Sequence, residues 1–550
     1  MNEAIRGADG AFTFVLHAHE PYVRMAGRWP HGEEWLHEAA TGTYLPLLTA
    51  LHDLAAEGVR YRLTISITPV LAEQLADPDV IANLDAYIAD QRDRAASDIA
   101  RFERDGDAHR ASVARFYHER YEKMLGDFRD RFGRDLIGAF RWLQDEGYAE
   151  LATSAATHGY LPLFERDSSI HAQVRQGVRT YERHFGRTPE SFWLPECAYR
   201  PSFVDEAGVR RPGIEEFLAA QGVRAFFVEA GTLAGGRTED GAPASTFEPY
   251  FVGAAGGVAA IGRNETALRQ VWSRHGYPGD FSYREFNSRD SESGLRYWRV
   301  TGADVSLAEK QYYDPLTAIE RTAEHARHFA ALVEDQLRAY RASSGRFGIM
   351  AAVYDAELFG HWWSEGVAWL KDVLRRLAAS ETVELMGAAE FVREHPPETV
   401  IALPAGSWGT DGDNDTWLNG NNAWMWPVIT AAQRRMEQIV ARHESAAGDA
   451  RAAIDQLARE LLLLQSSDWP YLVTTGQASA YAERRFTQHA ERFDALAAML
   501  ESGAIAMPYV EDLWRRDKLF AEIDVQDFCA RQGVAALPGE PSAAEARSLT

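Results

Sequence analysis

Short apolar runs that end in polar side chains recur along the chain. Ala11 to Leu16 (AFTFVL) runs into His17 and His19, and Arg62 to Ile67 (RLTISI) stops at Thr68-Pro69. Ser191 to Glu196, Ala225 to Glu229 and Gly348 to Asp355 (GIMAAVYD) each end on a carboxylate, and Val383 to Met386 forms a last short run. Apolar runs of this length bounded by turn residues predict buried strands. Elsewhere the period is helical. Ile81, Leu84 and Ile88, then Tyr117, Tyr121, Met124 and Phe128, mark Asp79 to Arg134 as a helical insertion. Ile454, Leu457, Leu461 and Leu464, then Phe486, Phe493, Leu496 and Leu500, predict core faces of C-terminal helices.

Strands interleaved with helices indicate an α/β fold with a largely parallel sheet. Polar residues at strand ends fit a barrel with its site on the C-terminal rim better than an open nucleotide-binding sheet. No GxGxxG or GxxxxGK[ST] phosphate loop is present.

The connecting stretches add candidates. Glu150 to Pro162, small residues around His158, reads as a tight loop beside a site. Ala230 to Asp290 is too long for a routine connection and reads as a lid or binding loop. Asp411, Asp413 and Asp415 are spaced as in a calcium loop, but the glycine and the closing glutamate of such a loop are missing, so no metal is expected there. Gln465 to Tyr471 interrupts the C-terminal helices with polar residues. From Pro538 the chain is rich in Ala, Glu, Ser and Pro, and 536–550 is expected to be a disordered tail.

A net charge of -24 disfavours nucleic acid and anionic membrane surfaces as partners and suits a neutral, hydroxyl-rich ligand. Cys197 and Cys529 give no disulfide framework, Met1 to Gly10 carries no signal-type apolar segment, and no membrane span is visible. A cytoplasmic location is expected, with oligomeric state left open.

Carboxylates at strand ends, histidines and 15 tryptophans, without a GxSxG elbow, are the equipment of glycoside chemistry. In Phe192 to Arg200 (FWLPECAYR), Glu196 either serves that chemistry or merely ends a strand against solvent or an arginine, and the stretch alone does not choose. Asp355 is its candidate partner across a barrel mouth. His17 and His19 on one strand face also admit a metal-dependent deacetylase or mannosidase, although two histidines do not complete a metal site. A non-catalytic glucan-binding protein is a further alternative.

The motifs LHAHEPYV, SAATHGYLP, WLPECAY, QVWSRHGYPGD, VYDAELFGHWW, SWGTDGDNDTWLN and SSDWPYLVTTGQA occur in this order. Through them the chain resembles family-57 glycoside hydrolases, and within them the α-1,4-glucan branching group. The resemblance implies an incomplete (β/α)7 barrel over 1–404 with the helical insertion at 79–134, and a C-terminal helical domain over 405–535. It implies Glu196 as nucleophile and Asp355 as general acid/base of a retaining double displacement on an α-glucan, with no cofactor. His19, His158, Arg263, Gly279, Trp408 and Asp468 match glucan-contacting positions, and Trp272 and Trp417 match aromatic platforms. Trp469 is read as packing. An α-amylase-like hydrolase or a 4-α-glucanotransferase on the same scaffold is the nearest alternative. The branching group carries a tyrosine on a mobile loop that shields the glycosyl-enzyme from water. Here Gly235 to Phe251 (GGRTEDGAPASTFEPYF) offers Phe247 and Tyr250 but no tyrosine at the expected place, which leaves transfer against hydrolysis open.

Overall fold

The computed structural model describes residues 7–254, 256–273, 275–302 and 305–530. The expected tail at 536–550 lies outside the described residues. Among those described, seven strands form a parallel sheet: β1 (Gly10–Ala18), β2 (Leu63–Ile67), β3 (Ala149–Ser154), β4 (Ser191–Trp193), β5 (Ala225–Val228), β6 (Ala259–Gly262) and β7 (Gly348–Asp355). Their order is β7-β1-β2-β3-β4-β5-β6, and every neighbouring pair is parallel. The two ends of the sheet approach each other. Asn264 N–H donates to Ala351 O at 3.0 Å, and Ile349 N–H to Phe247 O at 2.8 Å, while the sheet continues past β6 into the short antiparallel strand Tyr250–Val252. The result is an incomplete (β/α)7 barrel.

Alternation along the strands separates two cores. Val15, Trp193, Phe227, Ile261 and Val353 fill the barrel interior. Phe12, Phe14 and Leu16, on the other face of β1, pack outward with the surrounding helices. All nine residues of β1 are buried because both faces are covered, which is why the run is apolar until its end.

The predicted insertion is helical. Helices Pro78–Arg104 and Ala108–Gly126 pack against each other, and Asp77 caps the first by accepting from the N–H groups of Asp79 and Val80. Helices Met425–Arg442, Gly448–Leu464, Asp468–Thr475, Ser479–Ser502 and Met507–Arg516 follow the barrel, with the two predicted leucine and phenylalanine stripes buried between them.

Two expectations need correction. Residues 150–154, taken as part of a loop, belong to strand β3. Residues 230–290 are not one lid, because they contain β6, the strand Tyr250–Val252 and the helix Glu265–Val271. Both missed strands are built of small residues (AELATS, AAIG) where helices or the barrel interior crowd the backbone, so neither shows the bulky run that marks β1 and β7. The segment expected to carry a shield also lies elsewhere. The Phe247 carbonyl sits beside the start of β7 and its ring stacks on Tyr340, at the opposite end of β7 from Asp355. Tyr250 is a buried strand residue whose hydroxyl accepts from Ser245 N–H.

Candidate active site

Every strand of the barrel delivers a polar group to the same rim: His17 from β1, Ser66 from β2, Ser154 and then His158 after β3, Glu196 after β4, Glu229 after β5, Arg263 after β6 and Asp355 from β7. Strand β4 ends at Trp193, earlier than the sequence suggests. Pro195 starts a single tight turn, and Glu196 and Cys197 follow with φ of 62° and 49°. Two consecutive non-glycine residues in the left-handed region cost strain that the surroundings must hold. They aim the Glu196 carboxylate out of the strand line into the cleft.

That carboxylate is gripped on both oxygens. Trp408 Nε1–H donates to Oε2 at 2.7 Å and Ser467 Oγ–H to Oε1 at 2.8 Å. An indole N–H can only donate, so this arrangement accommodates the anion. Ser467 is itself the end of a chain of neutral groups. Its proton is spent on Glu196, so His158 Nδ1–H donates to Ser467 Oγ (2.9 Å). His158 Nε2 then accepts from His17 Nε2–H (3.1 Å), and His17 Nδ1 accepts from Ser66 Oγ–H (3.3 Å). Burial, and then the charge of His19, hold His17 and His158 well below the ordinary imidazole value, as the neutral tautomers require. His17 lies flat on Trp193, ring centroids 4.3 Å apart.

His19 behaves differently. Burial alone pulls its imidazole down, but Asp468, whose carboxylate oxygens lie 3.1 and 3.2 Å from Nε2, leaves it raised. Its ring lies over His158 at 4.0 Å. All six ring nitrogens of His17, His19 and His158 are thus engaged, with Thr68 Oγ1 meeting His19 Nδ1 at 3.1 Å. Ser66, Thr68, Ser467, Asp468 and the rings themselves thus satisfy the three imidazoles in this arrangement.

Asp355 pairs in register with His17 at the end of β7. Burial pushes its carboxyl up to about 6, against the opposing pull of Arg263 and His19. Burial pushes Glu196 up to about 7, against the pull of the Trp408 and Ser467 hydrogen bonds. Arg263 ties the two carboxylate surroundings together. It pairs with Glu229 at 3.0 Å and stacks over the Trp408 ring at 5.7 Å.

The sequence reading missed Glu357 and Tyr44. Glu357 accepts from the Tyr44 hydroxyl and from His19 N–H at 3.1 Å, and burial, then the Asp355 charge, push it up to about 8. Its place two residues after Asp355 was a visible signal, whereas Tyr44 carried none. Of the two proposed platforms, Trp272 is 56% exposed, but Trp417 is 1% exposed and stacks on Tyr160 at 4.6 Å. Trp417 has no free face for a sugar and is a packing residue, as is fully buried Trp469. Gly279 lies exposed in the turn Tyr277–Gly279, and none of the described contacts joins it to the carboxylates.

These shifts carry a stability prediction. Glu196, Asp355 and Glu357 all hold protons more tightly in the native state than in the unfolded chain. Their contribution is complete below the ordinary carboxylate range and is lost as pH rises through about 6 to about 8. The melting temperature should therefore decline across that window in calorimetry, and Glu357→Gln should flatten the decline. An unchanged slope in that variant would remove Glu357 from the account.

With this geometry in hand, the likeness to known proteins is specific. A model of Glycosyl hydrolase family 57 matches residues 13–404, and one of the 1,4-alpha-glucan branching enzyme C-terminal region matches residues 428–528. The chain belongs to glycosyl hydrolase family 57. Within this family it is 44% identical over 543 residues to a 1,4-alpha-glucan branching enzyme of Thermococcus kodakarensis, covering 94% of this chain and 78% of that protein. It is 32% identical to a probable 1,4-alpha-glucan branching enzyme of Mycobacterium tuberculosis, covering 96% and 99% of the two chains. The crystal structure of the Thermococcus enzyme superposes with a TM-score of 0.89 at 42% identity, covering 96% of this chain and 97% of that one. The α-amylase AmyC of Thermotoga maritima superposes at 0.83 with 31% identity, covering 95% and 99%. Among the described residues of this family-57 chain, no helix is long and apolar enough to cross a membrane.

Proposed function

We propose that this chain is a retaining 1,4-α-glucan branching enzyme whose nucleophile is Glu196 and whose general acid/base is Asp355. The observation that carries the assignment is the grip on Glu196: two donors, Trp408 and Ser467, meet one carboxylate that a strained turn presents to the cleft. Glu196 attacks the anomeric carbon of an internal glucose while protonated Asp355 delivers its proton to the departing 4-oxygen. The glycosyl-enzyme then receives the 6-hydroxyl of a second chain, whose proton returns to Asp355. Retention follows from the two displacements. Arg263 and Asp468 orient hydroxyls at the pocket wall, His19 and His158 hold Asp468 and Ser467 in place behind them, and Trp272 offers the exposed indole on which a sugar face stacks. Division into a barrel over 1–404, with the insertion at 79–134, and a helical domain over 405–535 belongs to this reading, as does a cytoplasmic place of action.

Proton NMR of amylose after incubation tests it. New α-1,6 anomeric signal is expected; reducing ends without that signal would make the chain a hydrolase. The hydrolase is the second reading with support of its own, since an α-amylase shares the scaffold and no tyrosine of 235–251 reaches the rim. Trp272→Ala should raise KM for long glucans roughly three- to tenfold, with kcat and melting temperature nearly unchanged, because an exposed ring contributes about 0.5–1.5 kcal/mol of contact. Steady-state kinetics on amylose of defined length checks this.

A further inference from the structure

The helix Asp468–Thr475 forms one wall of the cleft. At about 3.6 residues per turn, successive side chains leave such a helix about 100° apart. Ser467, its helical cap residue, grips Glu196, and Asp468, the next position round, holds His19. Tyr471 follows Ser467 by one turn, its N–H donating to Ser467 O at 3.2 Å, and so projects at about 40°, between those two directions. Trp469 and Val473 project to the far side and are buried. Tyr471 is 38% exposed, and its hydroxyl makes no hydrogen bond among the described residues. Burial, and then the charges of Glu196, Asp355 and Asp468, raise its phenol above the ordinary value, so the hydroxyl keeps its proton. An apolar ring face and an unused donor therefore border the space in which both carboxylates act.

In the double displacement that space is used twice. The 4-oxygen of the first chain departs on the side of Asp355, which protonates it, and the acceptor enters by the same side, because Asp355 takes its proton. For water and for a sugar hydroxyl the exchange is the same: the acceptor oxygen bonds to the anomeric carbon as the ester bond to Glu196 breaks, and the acceptor proton passes to Asp355. What occupies that side then decides the outcome. A ring there takes up volume that water would fill. A glucan chain regains the lost contact by laying a C–H face on the ring, and water has no such face. We propose that Tyr471 selects a sugar hydroxyl over water as acceptor of the glycosyl-enzyme, by excluding water and seating the acceptor chain. This role rests on the double displacement at Glu196 and Asp355 and adds a specificity-determining residue to it.

The full-length protein is tested with maltosyl fluoride as donor and maltotetraose as acceptor. Fluoride release counts every turnover, and free maltose counts those that end on water. At a fixed acceptor concentration the ratio of hydrolysis to transfer should rise about tenfold in Tyr471→Ala. Tyr471→Phe, which keeps the ring, should shift it about threefold or less. Melting temperatures close to that of the wild type, expected for a half-exposed ring, exclude loss of the helix as the cause. The linkage of the transferred maltosyl group is read separately by NMR. Transfer without α-1,6 linkages would remove the branching assignment and leave the role of Tyr471 standing. A ratio unmoved in Tyr471→Ala would overturn that role and leave branching standing. Wild-type protein yielding maltose alone at every acceptor concentration would overturn both.

Discussion

Glu196→Gln is expected to lower glycosyl transfer by about three orders of magnitude or more while leaving the fold intact, because it removes the proposed nucleophile without removing its shape. The site tells how the amide settles. Trp408 Nε1–H can only donate, so the glutamine oxygen faces Trp408 and its NH2 faces Ser467. Ser467 then turns its proton toward His158 and accepts instead, and the histidine chain reverses its tautomers as far as Ser66, whose hydroxyl changes from donor to acceptor. Melting temperature should hold or rise, since a buried carboxylate is gone. The smaller Glu196→Ala leaves space for azide, and with a maltosyl fluoride donor it should yield the β-azide, the product of one inversion. Substantial branching by Glu196→Gln would remove Glu196 from the nucleophile's role.

Asp355→Asn is the second large effect, about 10²–10⁴-fold on amylose. Its signature lies in which step suffers. A fluoride leaving group needs no proton, so the first displacement on maltosyl fluoride should be nearly spared and the glycosyl-enzyme should accumulate. In Asp355→Ala, azide should capture that intermediate as the α-azide, the product of two inversions, opposite to Glu196→Ala. The pH profile adds a check. With Asp355 raised to about 6 and Glu196 to about 7, the reactive form, anionic Glu196 beside protonated Asp355, is the minor of the two singly protonated forms, and kcat/KM of the wild type should follow a narrow bell whose two apparent values belong to the pair. Below it Glu196 is protonated and cannot attack; above it Asp355 has no proton to give. Asp355→Asn should lose the alkaline limb and keep the acid one. A variant retaining both limbs would place the acid/base elsewhere.

What the sequence made legible follows from burial. β1 and β7 are covered on both faces, so their apolar runs break only where the chain reaches the rim, and the break names His17 and Asp355 directly. β3 and β6 escaped because close packing demands small residues, which read as loop. Gly159 shows the same pressure, since a Cβ there would meet the Phe164 ring at 2.8 Å. The motif order placed Glu196, Asp355, Trp408 and Asp468, but nothing in a linear reading reveals that Ser467 grips Glu196 across 271 positions. Nor does it distinguish Trp272 from Trp417. Both are tryptophans in motifs, and only packing decides that one shows a face and the other is a wedge beside Tyr160.

The grip by Ser467 also has a meaning in time. A nascent chain that has emerged from the ribosome as far as Leu403 already holds both carboxylates and all seven barrel strands. It lacks Trp408 on one oxygen of Glu196, Ser467 on the other, and Asp468 beside His19. The proposed nucleophile therefore acquires both of its donors only once the chain beyond residue 404 has docked on the barrel.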